Sequence, residues 1–242
     1  MGDAVRTIRF TSTGKTLHIN ADVKLTFDEK KAALAIASRV FRLHDDFSPF
    51  YEMIANDPQL AWAIGSGRLP ASPTVFEDVI KTICTTNCAW SATERMVTAL
   101  VKLGGGAFPD PLLLAKTPER WYADVARMGY RGPYVRSIAR DVTNGKLDLE
   151  KHLPGEQRDA EAVEAQLLEL PGVGPYAAAH IMQLLGYHHR LVLDSATRPR
   201  FLALAKKKRA ADKTIIKTFR KYGDYAGLAF WLFVTRDWLG VL

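Results

Sequence analysis

Two stretches of the 242-residue chain carry residue types at a spacing that can do chemistry. The first is Leu170-Pro171-Gly172-Val173-Gly174-Pro175-Tyr176, set between an amphipathic segment (Val163, Leu167, Leu168) and an apolar one, Ala177 to Leu185. Gly172 and Gly174 can take positive φ and bring backbone close to a ligand, and the helix that follows presents unpaired N–H groups, so the turn can cradle an anion such as phosphate. The same residues also read as a plain turn between two helices. The second is Asp194, eighteen to twenty residues beyond Tyr176 and Gly174, placed after the apolar Leu191-Val192-Leu193 and before Ser195, where it can cap a helix. Cys84 and Cys88, four apart in a helical segment, suit neither a disulfide nor a complete metal site and are expected to pack. His188-His189 has no carboxylate or cysteine spaced to complete a metal set, so it is expected to be exposed loop polarity, and no catalytic metal is expected.

The elements that must position these groups are almost all helical. From Met1 to about Ala21 the text is short and polar with two β-like runs, Val5 to Phe10 and Thr16 to Asn20, which read as a small hairpin. Beyond it, Ser48-Pro49, Asp57-Pro58, Ser72-Pro73, Asp110-Pro111 and Thr117-Pro118 each offer a capping oxygen followed by a proline suited to the first helical turn. Apolar residues recur at helical spacing, as in Val75, Val79, Ile80, Ile83 and in Met96, Val97, Leu100, Val101, and Gly104 and Gly129 sit like helix-ending glycines. Further helices are expected over 133–143, 159–169, 175–186, 195–206, 212–221 and 224–237.

Composition bounds the rest. A chain with 48% hydrophobic and 24% charged residues is globular rather than disordered or collagenous. Charged residues within Met1 to Phe10 exclude a signal-peptide core there, and the apolar run Gly227 to Val234 is too short to cross a bilayer, so an intracellular protein without a membrane association is expected. Lys and Arg number 33 against 26 Asp and Glu, a net charge of +7 that suits a polyphosphate partner but is shared by ribosomal, RNA-processing and membrane-surface proteins. The one charge run, Lys206-Lys207-Lys208-Arg209, reads as a solvated face that a DNA binder can also turn to phosphates.

The hairpin Leu170 to Tyr176 followed at this spacing by Asp194 resembles the helix-hairpin-helix DNA glycosylase superfamily. The resemblance covers roughly residues 40–240 and includes Phe76-Glu77-Asp78 leading into Ile83-Cys84-Thr85-Thr86-Asn87, then Gly129-Tyr130-Arg131, and Tyr225-Ala226-Gly227-Leu228-Ala229-Phe230-Trp231. It implies a mostly α fold, two helical subdomains around the hairpin with a short N-terminal β segment: 1–40 as β-hairpin plus first helix, 41–155 as a helical subdomain, and 156–242 as the hairpin subdomain, whose C-terminal helices can pack back on the N-terminal part. The absence of any cysteine after Cys88 excludes the iron-sulfur cluster of some branches. Arg200-Phe201 and Trp231 are similar to the bacterial 3-methyladenine glycosylase II branch, whereas Cys84 to Asn87 and Tyr225-Ala226-Gly227 resemble the 8-oxoguanine branch; both normally begin with a longer β-rich domain.

What the resemblance implies for chemistry is specific. Asp194 is the catalytic carboxylate, stabilising charge on the deoxyribose or orienting water, and its capping role can coexist with that one. Tyr176 stands where strand-cleaving members have a lysine, so no Schiff base and no lyase step are expected. Tyr176 and His180, one turn apart on one helix face, would hold a flipped base together with Trp231. Gly172, Val173, Gly174, Asn87 and Arg200 would contact DNA, and a monovalent cation on hairpin carbonyls would be the sole cofactor. Trp90, Tyr130 and Tyr134 are assigned to the core, and Phe230 occupies the position of a glutamine in the 8-oxoguanine branch. The expectation is thus a monomeric, monofunctional glycosylase acting on duplex DNA with a damaged base, alkylated purines first. An 8-oxoguanine or mismatch enzyme is the alternative within the family, and a DNA-binding protein without catalysis is the alternative outside it.

Overall fold

The computed structural model describes residues 5–13, 16–153 and 159–239, and every structural statement concerns these. Two strands, β1 (Ile8–Thr13) and β2 (Thr16–Ala21), pair antiparallel with Phe10 opposite Ile19. β1 starts and ends three residues later than the expected Val5–Phe10 run and β2 ends one residue later than expected, and the Gly14-Lys15 part of the expected turn lies outside the described residues. Twelve α-helices follow: α1 (Phe27–Val40), α2 (Ser48–Ile54), α3 (Val75–Thr85), α4 (Trp90–Leu103), α5 (Pro111–Lys116), α6 (Glu119–Asp124), α7 (Arg131–Thr143), α8 (Ala160–Leu168), α9 (Pro175–Leu185), α10 (Thr197–Leu204), α11 (Asp212–Phe219) and α12 (Ala226–Thr235). Among the described residues no helix is long and apolar enough to cross a membrane. The sheet rests on the end of α1 through an edge-on contact of Phe10 with Phe41, ring centroids 5.0 Å apart.

Two hydrophobic cores organise these helices. One gathers the apolar faces of α3, α4, α7, α8 and α9 around Ile80, Ile83, Leu100, Ile138, Leu167 and Ile181. The other joins α2 to α10, α11 and α12 around Phe50, Phe201, Phe219 and Phe230. The division expected at 155/156 is therefore not the one the cores follow. The hairpin helices α8 and α9 share a core with α3 and α7, while α2 packs with the C-terminal helices, because burial follows complementary apolar faces rather than chain order.

Polar links fasten α1 and α12 to the elements of the first core. Arg39 donates from Nε to the Ser72 carbonyl (2.8 Å) and pairs with Asp78 (2.8 Å), which also accepts from the Ser72 N–H at 2.7 Å. Burial pushes the Asp78 carboxyl up to about 6, opposed by Ser72 and Arg39. Gln183 on α9 donates to the Arg190 carbonyl, and the Gly227 N–H at the start of α12 donates to the His188 carbonyl at 2.7 Å. A Cβ on Gly227 would overlap the Arg190 carbonyl oxygen, so only glycine lets α12 come this close to the segment leaving α9. His188 itself is buried, its ring between Phe47 (5.6 Å) and Tyr225 (6.2 Å), and not the exposed loop residue expected.

Candidate active site

A cleft of about 1790 Å³ opens between the cores, walled by α3, α4 and the α8–α9 hairpin on one side and by α10 and α12 on the other. Asp194 lies in it, half-buried, and its position follows from local chain chemistry. Its Oδ1 accepts from the N–H groups of Ala196 (2.9 Å) and Thr197 (2.6 Å) and from the Thr197 hydroxyl (2.9 Å), while the Asp194 N–H donates to Thr197 Oγ1. The carboxylate thus caps α10, a role in which the helix dipole favours negative charge. Among the described residues nothing donates to Oδ2, so half of the group is fixed and half remains for the cleft.

Tyr176 and His180 come from α9, where a spacing of four puts both on one face; their rings are 6.1 Å apart at 32°. The Tyr176 hydroxyl meets Thr85 Oγ1 at 3.2 Å. Burial raises the phenol above its ordinary value, with the Thr85 hydrogen bond opposing and the Asp194 charge adding to the rise, so it stays protonated at neutral pH. Burial lowers the His180 imidazole, with the Asp194 charge opposing, which leaves a neutral ring at pH 7. Trp231 reaches the cleft from α12 and is braced edge-on by Trp238, ring centroids 6.1 Å apart at 83°. Phe230, its neighbour, is fully buried against Phe201 and Phe219 and offers the cleft nothing.

The hairpin differs in detail from its reading in the sequence. Gly172 has φ +84°, and a Cβ there would sit 2.7 Å from Tyr134 Cδ2; Gly174 has φ −96° and open space where its Cβ would be. The first glycine serves the turn, whereas the second keeps a surface clear for an approaching group. Val173 also lines the cleft, but its side chain is buried in the first core and its N–H donates to the Leu170 carbonyl, which leaves its carbonyl as its polar group at the turn. Among the described residues the N–H groups of Gly174, Tyr176 and Ala177 have no backbone acceptor, and α9 has no side-chain cap. Those are the donors that would meet a phosphate.

Arg200 lines the cleft but is engaged, donating to the Val234 carbonyl (2.6 Å), paired with Asp237 (3.0 Å) and stacked over Trp238 at 5.0 Å. It braces the Trp231–Trp238 wall instead of presenting a free guanidinium to DNA. Asn87 sits exposed at the rim with φ +45° and donates to the Tyr130 hydroxyl at 3.3 Å. Two residues assigned to the core belong to this rim: Tyr130 is 51% exposed and Trp90 69% exposed. Tyr134 is half-buried against Gly172 and also lines the cleft. A signal was available: both exposed aromatics sit at a helix start just after an inter-helix turn with a left-handed residue, Asn87 and Gly129, where helical spacing no longer decides burial. Among the described residues no group of three His, Cys, Asp or Glu can hold a metal ion.

No family model matches the sequence. The chain is similar to the DNA-3-methyladenine glycosylase of Saccharomyces cerevisiae, 30% identical over 116 residues covering 44% of this chain and 39% of the relative. It is also similar to that of Bacillus subtilis, 28% identical over 155 residues covering 59% and 50%. The chain therefore spans about half or less of the length of these curated relatives. Over the whole fold, the Clostridium acetobutylicum 8-oxoguanine glycosylase/lyase, solved with duplex DNA carrying cytosine opposite 8-oxoguanine, superposes with a TM-score of 0.73 at 20% identity, covering 95% of this chain and 81% of that one. The chain has the helix-hairpin-helix DNA glycosylase fold. Within that fold the cleft contains a capped carboxylate, aromatic walls and a hairpin of unpaired N–H donors.

Proposed function

We propose that the chain is a monofunctional DNA glycosylase of base-excision repair, which flips a damaged base out of duplex DNA and hydrolyses its N-glycosidic bond. One observation carries the reading: Asp194 is held by Oδ1 at the start of α10 with Oδ2 left to the cleft, in the same cavity as the Tyr176, His180 and Trp231 rings. A base taken out of the stack costs a few kcal/mol in lost stacking, which aromatic walls offset. As the bond to the base breaks, positive charge develops on the sugar, and a fixed carboxylate stabilises it without reorganising; the same oxygen can align the attacking water. The Gly174, Tyr176 and Ala177 N–H groups would take a backbone phosphate near the target. The carbonyls of Pro171, Gly172 and Val173 accept no backbone hydrogen bond among the described residues and would be the ones to hold a monovalent cation at the same turn.

The absence of a lyase step is part of the proposal. Tyr176 offers no amine, and the lysine that lines the cleft, Lys81, is paired with Glu77 at 2.5 Å. Alkylated purines rank first among substrates: both curated relatives are named for 3-methyladenine, and a cationic base gains from electron-rich ring faces beyond simple stacking. The buried Phe230 supplies no polar contact that would favour 8-oxoguanine. Duplexes each carrying one lesion, 3-methyladenine, 7-methylguanine or 8-oxoguanine, test this directly. Alkali-labile sites in the alkylated duplexes, without borohydride-trapped protein–DNA adducts, are expected. Intact DNA throughout would leave a binding protein, and efficient trapping would contradict the monofunctional reading.

A further inference from the structure

The cleft accounts for the hairpin, the carboxylate and the aromatics, but not for where the molecule keeps its charge. Residues 206–221 contain eight basic side chains, Lys206 through Arg209 with Lys213, Lys217, Arg220 and Lys221, against one acid, Asp212, a net of +7. That equals the formal charge of the whole chain; the remaining residues hold 25 basic and 25 acidic side chains. All eight are exposed. Asp212 is already matched by Arg198, which meets both its oxygens at 2.8 Å, and Lys221 is matched by Asp57 at 2.7 Å. The other seven form no ion pair among the described residues.

The fold presents these charges as one surface. A left-handed turn at Lys206 (φ +53°) ends α10 and releases Lys207, Lys208 and Arg209 into the loop before α11. On α11, Ile215 and Phe219 face the core, while Lys213, Lys217 and Arg220 recur at i, i+4 and i+7 and so share the outer face. None of these basic residues lines the cleft, yet α10 runs directly from it: Thr197, Arg198 and Arg200 line the cavity at one end, and the eight-residue helix carries the chain about 12 Å to the loop. A row of unpaired like charges repels itself, which a bound polyanion relieves.

We propose that this α10–α11 surface is a second phosphate-binding site that grips the flanking duplex of the DNA seated in the cleft, irrespective of damage. The proposal rests on reading the cleft as a DNA site. Each phosphate neutralised steepens the dependence of log affinity on log salt by about 0.9. The test measures that slope on an undamaged 30-base-pair duplex for the wild type and three variants. The first combines Lys206→Gln, Lys207→Gln, Lys208→Gln and Arg209→Gln. The second combines Lys213→Gln, Lys217→Gln and Arg220→Gln. The third removes an equal charge elsewhere through Lys102→Gln, Lys116→Gln, Lys146→Gln and Lys151→Gln. The first two are expected to flatten the slope by about 2–4 and about 2–3, the third to leave it unchanged, with one duplex bound per protein. Equal slopes in the first three proteins, equal flattening in the third variant, or two duplexes bound per wild-type molecule would overturn the proposal. Because the duplex carries no lesion, failure to excise any base would defeat the proposed activity without altering this readout.

Discussion

At the scale of single residues, the site depends on side chains doing two things at once. Asp194 caps α10 with one oxygen and faces the cleft with the other; Gly172 makes the turn while Gly174 leaves it open. The two glycines are therefore expected to separate on substitution. Gly172→Ala forces a left-handed backbone and crowds Tyr134, and should cost about 1–2 kcal/mol, read as a Tm lowered by roughly 2–8 °C. Gly174→Ala has no such strain and should keep the wild-type Tm but weaken binding to damaged and undamaged duplex alike, because its Cβ would enter the open space that the proposed phosphate contact needs. Thermal melts with duplex titrations check both, and a stability loss at Gly174 equal to that at Gly172 would contradict the division of labour. Asp194, Tyr176, His180 and Trp231 were legible because motif spacing ties them together. Tyr130 and Trp90 were not, because helical spacing extended across the turns at Gly129 and Asn87, where it no longer decides burial, assigns them to the core.

At the scale of elements, the helices were legible and their starts less so. Of five Xaa-Pro starts, only Asp110 caps as its type suggests, accepting from the Leu113 N–H at 2.7 Å. Thr74 rather than Ser72 caps α3, and the Thr117 hydroxyl donates back to the Leu113 carbonyl. Asp57 opens no α-helix; its Oδ2 is taken by Lys221 and Tyr222 from the far end of the chain, each at 2.7 Å. At Ser72 and Thr117 a competing local bond displaces the expected cap, whereas at Asp57, whose Oδ1 still accepts from the Gln59 N–H at 2.8 Å, the distant partners Lys221 and Tyr222 take the other oxygen, and no local pattern announces them. The same holds for the seating of α12, which depends on the contact of Gly227 with the His188 and Arg190 carbonyls. Gly227→Ala should cost about 1–3 kcal/mol through overpacking and, by shifting α12, alter Trp231 and hence the preference among lesions. A melt and a lesion panel on the variant check this; an unchanged Tm would show that α12 moves freely at that point.

At the scale of the whole molecule, the sequence made legible a mostly helical protein and a return of its C-terminal helices to the N-terminal part, but not that α2 is the element they meet, since apolar spacing marks a buried face without naming what covers it. His188 shows the cost of that arrangement. Burial, with Arg42 and His189 nearby, lowers its imidazole to about 3, whereas the unfolded chain takes that proton near 6.5. As pH falls below about 6.5 the unfolded state binds the extra proton first, so this group's contribution to stability is present above that value and is lost as pH falls toward 3. His188→Phe is expected to lose less Tm than the wild type between pH 7 and pH 5, and parallel melting curves would contradict that.

The central claim is that the Asp194 carboxylate drives base excision. Asparagine keeps an oxygen for the α10 cap and removes the charge, so fold and DNA binding should survive Asp194→Asn. The most direct measurement is single-turnover excision of 7-methylguanine from a duplex, wild type against Asp194→Asn, alongside affinity for abasic-site DNA. Excision reduced on the order of 10³-fold or more, with abasic-site binding retained, is the predicted result. Excision by Asp194→Asn at a rate near the wild type would contradict it.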